Sequence, residues 1–271
     1  MAHPQCSMIM AAYQAADTVE AAVRSCLAQE GVDVEVVVVD DGSTDGTATV
    51  VAGIADPRLH LVRLDENRGR SAARNVALAH STAPVVLPCD ADDVSRPGRA
   101  LHHLRAFEAA PEAVVVAGRS LGVHPDGARP WPVLPATPEG VDRAFTRGRM
   151  GVSHPACAVR RSWIEGLGGY DEGVRVAEDF DLFLRGWVPG GFVPHPEIVL
   201  DYRMPGAFPS FGYWWDNERH RRAVVDRVVA GAAERDLDPF LRARSGGLTR
   251  AVESVRWSGA LLLDRLRQVG A

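Results

Sequence analysis

The chain has 271 residues, 46% of them hydrophobic, a formal net charge of −5 and a mean hydropathy of −0.08. That length allows one large α/β domain or a domain with an appendage, in a soluble globular protein. The acidic balance supplies no basic field for nucleic acid, and no run reaches the length of a membrane span.

In chain order, "CSMIM" (Cys6 to Met10) reads as a short buried strand. "DTVEAAVRSCLAQ" follows as a helix with Asp17 as N-cap and Val19, Val23, Cys26 and Leu27 on one stripe. "EVVVVDDGST" (Glu35 to Thr44) is a strand of stiff β-branched residues that suits burial on both faces, ending in Asp40, Asp41 and a small-residue turn. Asp45 is placed to cap a helix around Gly46 to Gly53. "RLHLVRL" (Arg58 to Leu64) alternates as a third strand, and "GRSAARNVALAHS" is a helix opened by Gly69 and Ser71. "APVVLP" (Ala83 to Pro88) is a fourth strand leading to "CDADD", with Pro88 better suited to a strand end than to a central ladder. "RPGRALHHLRAFEAA" is helical and "EAVVVAGRS" extended. This alternation over about the first 120 residues predicts a mostly parallel sheet with helices on both faces.

From Gly122 to Gly151 the Pro and Gly content predicts an irregular excursion. "SHPACAVRRSWIEGLGGYDEG" reads as a strand and short helix, "AEDFDLFLRGWV" as a helix and "PEIVLDYR" as a last strand. Beyond about Phe208 an aromatic stretch leads into arginine-bearing helices. The expected division is a nucleotide-sugar-binding and catalytic domain over 1–205 and an extension over 206–271. Met204 to Asp216 is expected to be a mobile lid or acceptor wall. Its aromatics Phe208, Phe211, Tyr213, Trp214 and Trp215 suit stacking on a sugar as well as core packing.

Lysine is absent, so all 30 basic residues are arginine. Schiff-base chemistry, a P-loop and a lysine-dependent receiver domain are thereby excluded. Cys6, Cys26, Cys89 and Cys157 form no C-x-x-C pair and are expected as buried thiols, not a zinc site or a disulfide framework. The start "MAHPQCSMIM" lacks a charged region before a long apolar core, which points to the cytoplasm.

Two acidic clusters each follow an apolar strand, the place where open parallel sheets bind ligands. Asp40 and Asp41 are equally compatible with solvated turn and cap residues. In Asp90-Ala91-Asp92-Asp93, positions i and i+2 of an extended segment point the same way, so Asp90 and Asp92 can converge on one ligand. Too few to enclose a metal, they suit Mg²⁺ or Mn²⁺ completed by water and substrate phosphate oxygens.

The blocks "SMIMAAYQAADTVEAAVRSCLAQ", "EVVVVDDGSTDGT", "NRGRSAARNVAL", "CDADD" and "GGYDEGVRVAEDFDLFLR" resemble, in order, those of family 2-type glycosyltransferases with the GT-A fold, over about Ser7 to Arg203. The resemblance implies an α/β, Rossmann-like sheet flanked by helices, with a C-terminal helical extension. It implies metal-dependent, inverting transfer of a sugar from a nucleoside-diphosphate sugar to an acceptor hydroxyl. By position, Tyr13 resembles the aromatic stacked on the base, Asp41 the reader of the base edge and Arg74 a basic residue near the nucleotide. Asp90 resembles the ribose-side carboxylate, with a share in the metal site, and Asp92 the metal ligand. Asp179 resembles the general base, supported by Glu178, and Arg203 a donor-phosphate contact. Ala11 and Gln14 stand where many relatives have Pro and Asn, Pro88 replaces a bulky apolar residue, and "MPGAFPSFGYWW" after Arg203 follows no family pattern.

Two other readings compete. One is a non-catalytic nucleotide-sugar-binding scaffold. The other is a sugar nucleotidyltransferase, for which "MAAYQAADT" lacks the Gly-rich basic loop. The expected partners are the nucleoside-diphosphate sugar and a small-molecule or soluble glycan acceptor, with the oligomeric state open to monomer or homodimer. His154 and His195 are expected to be structural, and Tyr13 and Glu178 have packing and helix-dipole roles as alternatives.

Overall fold

The structure is a computed structural model that describes residues 3–124, 127–131, 134–204 and 211–231. Its first half alternates β1 (Cys6–Ala12), α1 (Val19–Leu27), β2 (Val34–Asp40), α2 (Thr47–Ala52), β3 (Leu59–Arg63), α3 (Arg70–His80) and β4 (Val85–Asp90). β5 (Val94–Ser95), α4 (Arg99–Ala109), β6 (Val115–His124), β7 (Gly127–Pro130) and α5 (Pro138–Phe145) follow. After them come β8 (Cys157–Arg160), α6 (Arg161–Gly166), α7 (Glu178–Gly186), β9 (Phe192–Arg203) and α8 (Phe211–Gly231). The sheet order is β3-β2-β1-β4-β8-β6-β9-β5, with β7 paired to β6.

The strands β3, β2, β1 and β4 are parallel, as the βα alternation requires. Beyond β4 the sheet becomes mixed. β8 runs antiparallel to β4 and β6, while β9 returns parallel to β6 and antiparallel to β5. The valine run is buried throughout because the sheet is covered on both sides. Val36 and Val38 pack with Met8, Met10 and Leu87 on one face, and Val37 and Val39 with Ile9 and Val86 on the other. That two-sided burial produces a continuous apolar run instead of alternation.

Several local expectations need correction. α1 begins after Thr18 with no side-chain cap, so Asp17 does not cap it. The expected irregular excursion is ordered: β6 continues to His124, forms a hairpin with β7, and α5 follows. Thr137 accepts from the Gly140 N–H to cap α5, and Pro138 occupies its first turn, where its missing N–H costs nothing. Pro88 lies inside β4, but β8 pairs with β4 only through Val85 and Val86, so the proline is beyond the end of that ladder. Asp45 is not the cap of α2, which is Gly46, but it lies one residue before it and accepts from the Thr47 N–H at 3.0 Å. All four cysteines are buried and free.

Val224 of α8 is buried with Tyr170, Val174 and Phe180, so this helix packs on the same core as α7. Arg227 of α8 pairs with Asp181 and Asp171. Residues 205–210 of the expected lid, the side chains of 211–216 and residues 232–271 lie outside the described residues, while the backbone of 211–216 forms the start of α8. Among the described residues no helix is long and apolar enough to cross a membrane.

Candidate active site

Register brings the two acidic clusters to one edge of the sheet. Ala12 at the end of β1 is opposite Asp40 of β2, and Ala11 is opposite Asp90 of β4. The clusters therefore flank the strand that leads into Tyr13, which is 52% exposed and so not a core residue.

The first cluster is occupied by the scaffold. Asp40 accepts from the Ser43 N–H at 3.3 Å, and its other oxygen lies 3.9 Å from Arg63. Asp41 donates its backbone N–H to Ala12 O at 2.8 Å. Its carboxylate accepts from the backbone N–H groups of Arg68 at 2.8 Å and Gly69 at 2.9 Å. Asp41 thereby fixes the turn that opens α3, while each oxygen retains a further acceptor site for a ligand. Gly42 is required between these turns: its φ is +73°, and a Cβ would come within 2.5 Å of the Glu66 carbonyl carbon. The loop after Tyr13 is tied to the same turn. Gln14, at φ +51°, donates its backbone N–H to Ser43 Oγ at 3.0 Å and accepts from the Thr44 N–H at 2.8 Å.

The second cluster is built around Arg74 on α3. This buried guanidinium donates to Glu178 Oε1 at 2.6 Å and to Asp90 Oδ1 at 2.8 Å, and lies 5.6 Å from the Tyr170 ring centre. Burial opposes its charge, but Asp90, Tyr170 and Glu178 raise its pKa further above its ordinary value. Burial would likewise raise the Asp90 pKa, yet Arg74 holds it below the usual carboxylate range. Arg74 thus joins Asp90, at the end of β4, to Glu178, at the start of α7. Removing Arg74 would take the nearest countercharge from both acids at once.

Asp179 follows Glu178 in the first turn of α7 and accepts from the Phe180 N–H at 2.7 Å. Burial first, then the adjacent Glu178, push its pKa above the usual range. Ala177, immediately before this pair, has φ +63°, a conformation that a residue with a Cβ occupies at a cost. Asp92 is exposed in the turn after β4, and its pKa is raised by partial burial and then by Asp90. Arg203 at the end of β9 is exposed, and its charge, with that of Arg70, opposes the rise at Asp92.

The structure thus brings Arg74, Asp90, Glu178 and Asp179 into one network, with Asp92 and Arg203 beside it. Tyr13 and Asp41 sit at the same edge without a direct contact to that network among the described residues. Three further residues belong to the site. Arg70, one helical turn before Arg74, lies 3.6 Å from Glu178, a placement that the i, i+4 spacing of two arginines signals. Asp93 is buried and accepts from the Arg203 N–H at 2.9 Å. Burial, followed by Asp90, pushes its pKa up to about 8. His154 is buried 2.8 Å from the Tyr170 hydroxyl, and its pKa is pushed down to about 3 by burial and then Arg74, a neutral structural role. His195 pairs with His103 at 3.0 Å.

Among the described residues no group of at least three His, Cys, Asp or Glu side chains could enclose a metal. The donor set is instead hard carboxylate oxygen at Asp92 and Asp90. The Asp92 pKa is raised first by burial and then by repulsion from Asp90, and a divalent cation would relieve that repulsion. These residues fit a metal shared with a ligand.

In open α/β sheets ligands bind beyond the carboxyl ends of the strands, which is where these carboxylates gather. The model for "Glycosyl transferase family 2" matches residues 7–168, and the chain belongs to that family. The succinoglycan biosynthesis protein ExoO of Rhizobium meliloti is 36% identical over 200 residues, covering 69% of this chain and 57% of that protein. ExoU of the same organism is 38% identical over 202 residues, covering 68% and 57%. The chain spans somewhat more than half the length of these curated relatives.

Among solved structures, a fragment of S. aureus TarS in complex with UDP matches at TM-score 0.61 and 20% identity, over 82% of this chain and 65% of that one. The mannosyltransferase PcManGT of Pyrobaculum calidifontis, in complex with GDP-Man and Mn²⁺, matches at TM-score 0.61 and 22% identity, over 97% and 81%. Both likenesses are of fold, and the fold is GT-A.

Proposed function

We propose that the chain is an inverting glycosyltransferase that moves a sugar from a nucleoside-diphosphate sugar to an acceptor hydroxyl, with Asp179 as general base. One observation supports this reading: Arg74 bonds both Asp90, at the D-x-D strand end, and Glu178, the residue before Asp179, whose own pKa is raised by burial and then by Glu178. A carboxylate of that kind suits removal of a proton from an alcohol as the new bond forms, because the free hydroxyl is too weak an acid. Glu178 supports it by holding Arg74 and by keeping negative charge next to it.

Tyr13 offers an exposed ring for the base, and Asp41 a carboxylate for its edge. Asp92 and Asp90 would hold Mn²⁺ or Mg²⁺ with the diphosphate oxygens. The ion supplies charge neutralisation at the leaving diphosphate. Arg203 and Arg70 add positive charge on the same side. An oxocarbenium-like transition state with attack from the face opposite the diphosphate is expected by analogy with glycoside hydrolysis. The complexes of the two structural neighbours, with UDP and with GDP-Man and Mn²⁺, support a nucleotide-sugar donor and a metal. The two relatives named for succinoglycan biosynthesis support a saccharide acceptor. The location consistent with this reading is the cytoplasm, the compartment of nucleotide-sugar pools.

The test is a thermal-shift panel of nucleoside diphosphates and their sugars, with and without Mn²⁺, followed by a transfer assay with the sugar that binds. Metal-dependent stabilisation by one diphosphate and its sugar, with transfer abolished by chelator, is expected. Binding without transfer to any saccharide would favour a scaffold, and full activity in excess chelator would remove the metal from the reading.

A further inference from the structure

We propose that Asp93 is a positioning residue of the donor site: its buried carboxyl group clasps the Arg203 backbone to the D-x-D turn and so aims the Arg203 side chain into the donor site. The inference rests on the reading above that Arg203 contacts the donor phosphates.

Asp93 is only 3% exposed, and its Oδ1 accepts from the Arg203 N–H at 2.9 Å, across 110 positions of sequence. The residues that follow it continue the same seam. Val94 and Ser95 pair with Asp201 and Leu200, and the Arg96 backbone N–H reaches Val199 O at 2.9 Å. Arg96 Nε donates to Asp201 at 2.7 Å. These contacts hold the β5 edge of β9 as far as Asp201, while β6 pairs with its other edge through Arg203. The Asp93 bond extends the hold on the β5 edge by two residues. On the other side, the Met204 N–H donates to Val123 O at 3.1 Å. Arg203 is therefore fixed through its backbone while its side chain stays exposed, the arrangement needed to aim a long cation without burying it.

The clasp has a chemical cost. Asp93 Oδ2 is buried with no hydrogen-bond partner among the described residues, next to Asp92 and three positions of sequence from Asp90. A buried, half-satisfied carboxyl is unfavourable. Its one strong bond to the described protein goes to the residue that must be aimed. The β-ladder alone does not account for that bond, since the register of β5 with β9 ends at Val94 and Asp201.

The experiment is a double-mutant cycle read by calorimetry of UDP and GDP binding in the presence of Mn²⁺. The proteins are wild type, Asp93→Ala, Arg203→Ala and the double variant, with Asp93→Asn and Asp93→Ser beside them and thermal unfolding recorded for each. Loss of a charge-assisted hydrogen bond predicts roughly 10- to 100-fold weaker binding for Arg203→Ala. Asp93→Ala and Asp93→Ser should lose part of the same affinity. The double variant should bind no worse than Arg203→Ala, because a clasp without its cation has nothing to position. Asp93→Asn keeps an acceptor at Oδ1 and should bind like wild type. If the double variant loses the product of both single effects, Asp93 acts independently of Arg203 and the clasp is wrong. If Arg203→Ala alone binds normally, the donor-phosphate role of Arg203 fails first and the clasp falls with it. Should Asp93→Ala not fold, Asp93→Ser carries the same cycle with the same outcomes.

Discussion

Asp41 gives both carboxylate oxygens to the backbone of the turn before α3, whereas Asp92, at the same edge of the sheet, remains exposed with a raised pKa. Both acids follow an apolar strand, and a pattern of residues does not separate them. Their surroundings do. Around Asp40 and Asp41 the partners are backbone N–H groups and one distant, exposed arginine, which build a frame. Around Asp90 and Asp92 the partners are other charges, and the balance among Arg74, Glu178 and Asp179 leaves like-charge repulsion for a ligand to relieve. A carboxylate satisfied by fixed dipoles shapes a pocket, while one left beside its own kind is poised to bind a cation or a proton.

The sharpest way to break this contrast is at Asp179. General-base catalysis contributes about 10²- to 10⁴-fold. Asp179→Asn should lower kcat by that factor while nucleoside-diphosphate affinity holds, and Glu178→Gln should cost less. Steady-state transfer rates beside binding measurements decide it. A loss of affinity in step with rate would move the base elsewhere.

Next in size is the stability of the two arginine contacts. Arg74→Met leaves the buried Glu178 with only the more distant and exposed Arg70, and urea unfolding should show a loss approaching about 3–5 kcal/mol. Arg63→Met, at the other cluster, removes a 3.9 Å contact from a side chain that is 69% exposed, and should cost at most about 1 kcal/mol. Equal losses would mean that the clusters are energetically alike.

The smallest effect is on pH dependence. As the proposed general base Asp179 must be ionised to act, so kcat should rise with pH through its pKa. Burial and Glu178 raise that value, so the acid limb should lie above the unperturbed carboxylate midpoint of about 4. Glu178→Gln removes the second cause and should shift the limb downward. A limb at the ordinary position in both proteins would show that Asp179 is not held as described.

Much of this was legible in the residues. The valine run, the βα alternation and the five family blocks define the parallel half of the sheet and GT-A. Less legible was the second half, where antiparallel β8 depends on long-range pairing with β4 and β6 and has no local signal. The excursion after Gly122 shows a different failure. Thr137-Pro138 is a helix-start signal, but dense Pro and Gly around it read as irregular chain. In the site, spacing singled out Asp90 and Asp92, yet the turn after them redirects Asp93 inward to the end of β9. Alternation in an extended segment says nothing about a residue beyond the turn.

The contrast between frame and binding cluster is tested most directly by titrating UDP and GDP into wild type, Asp41→Asn and Asp92→Asn, each with and without Mn²⁺. Asp92→Asn should erase the affinity gained from Mn²⁺ and leave metal-free binding unchanged. Asp41→Asn should weaken binding by the same factor in both conditions and keep the Mn²⁺ gain intact. If Asp41→Asn abolishes the metal gain, or Asp92→Asn keeps it, the two clusters have been assigned the wrong way round.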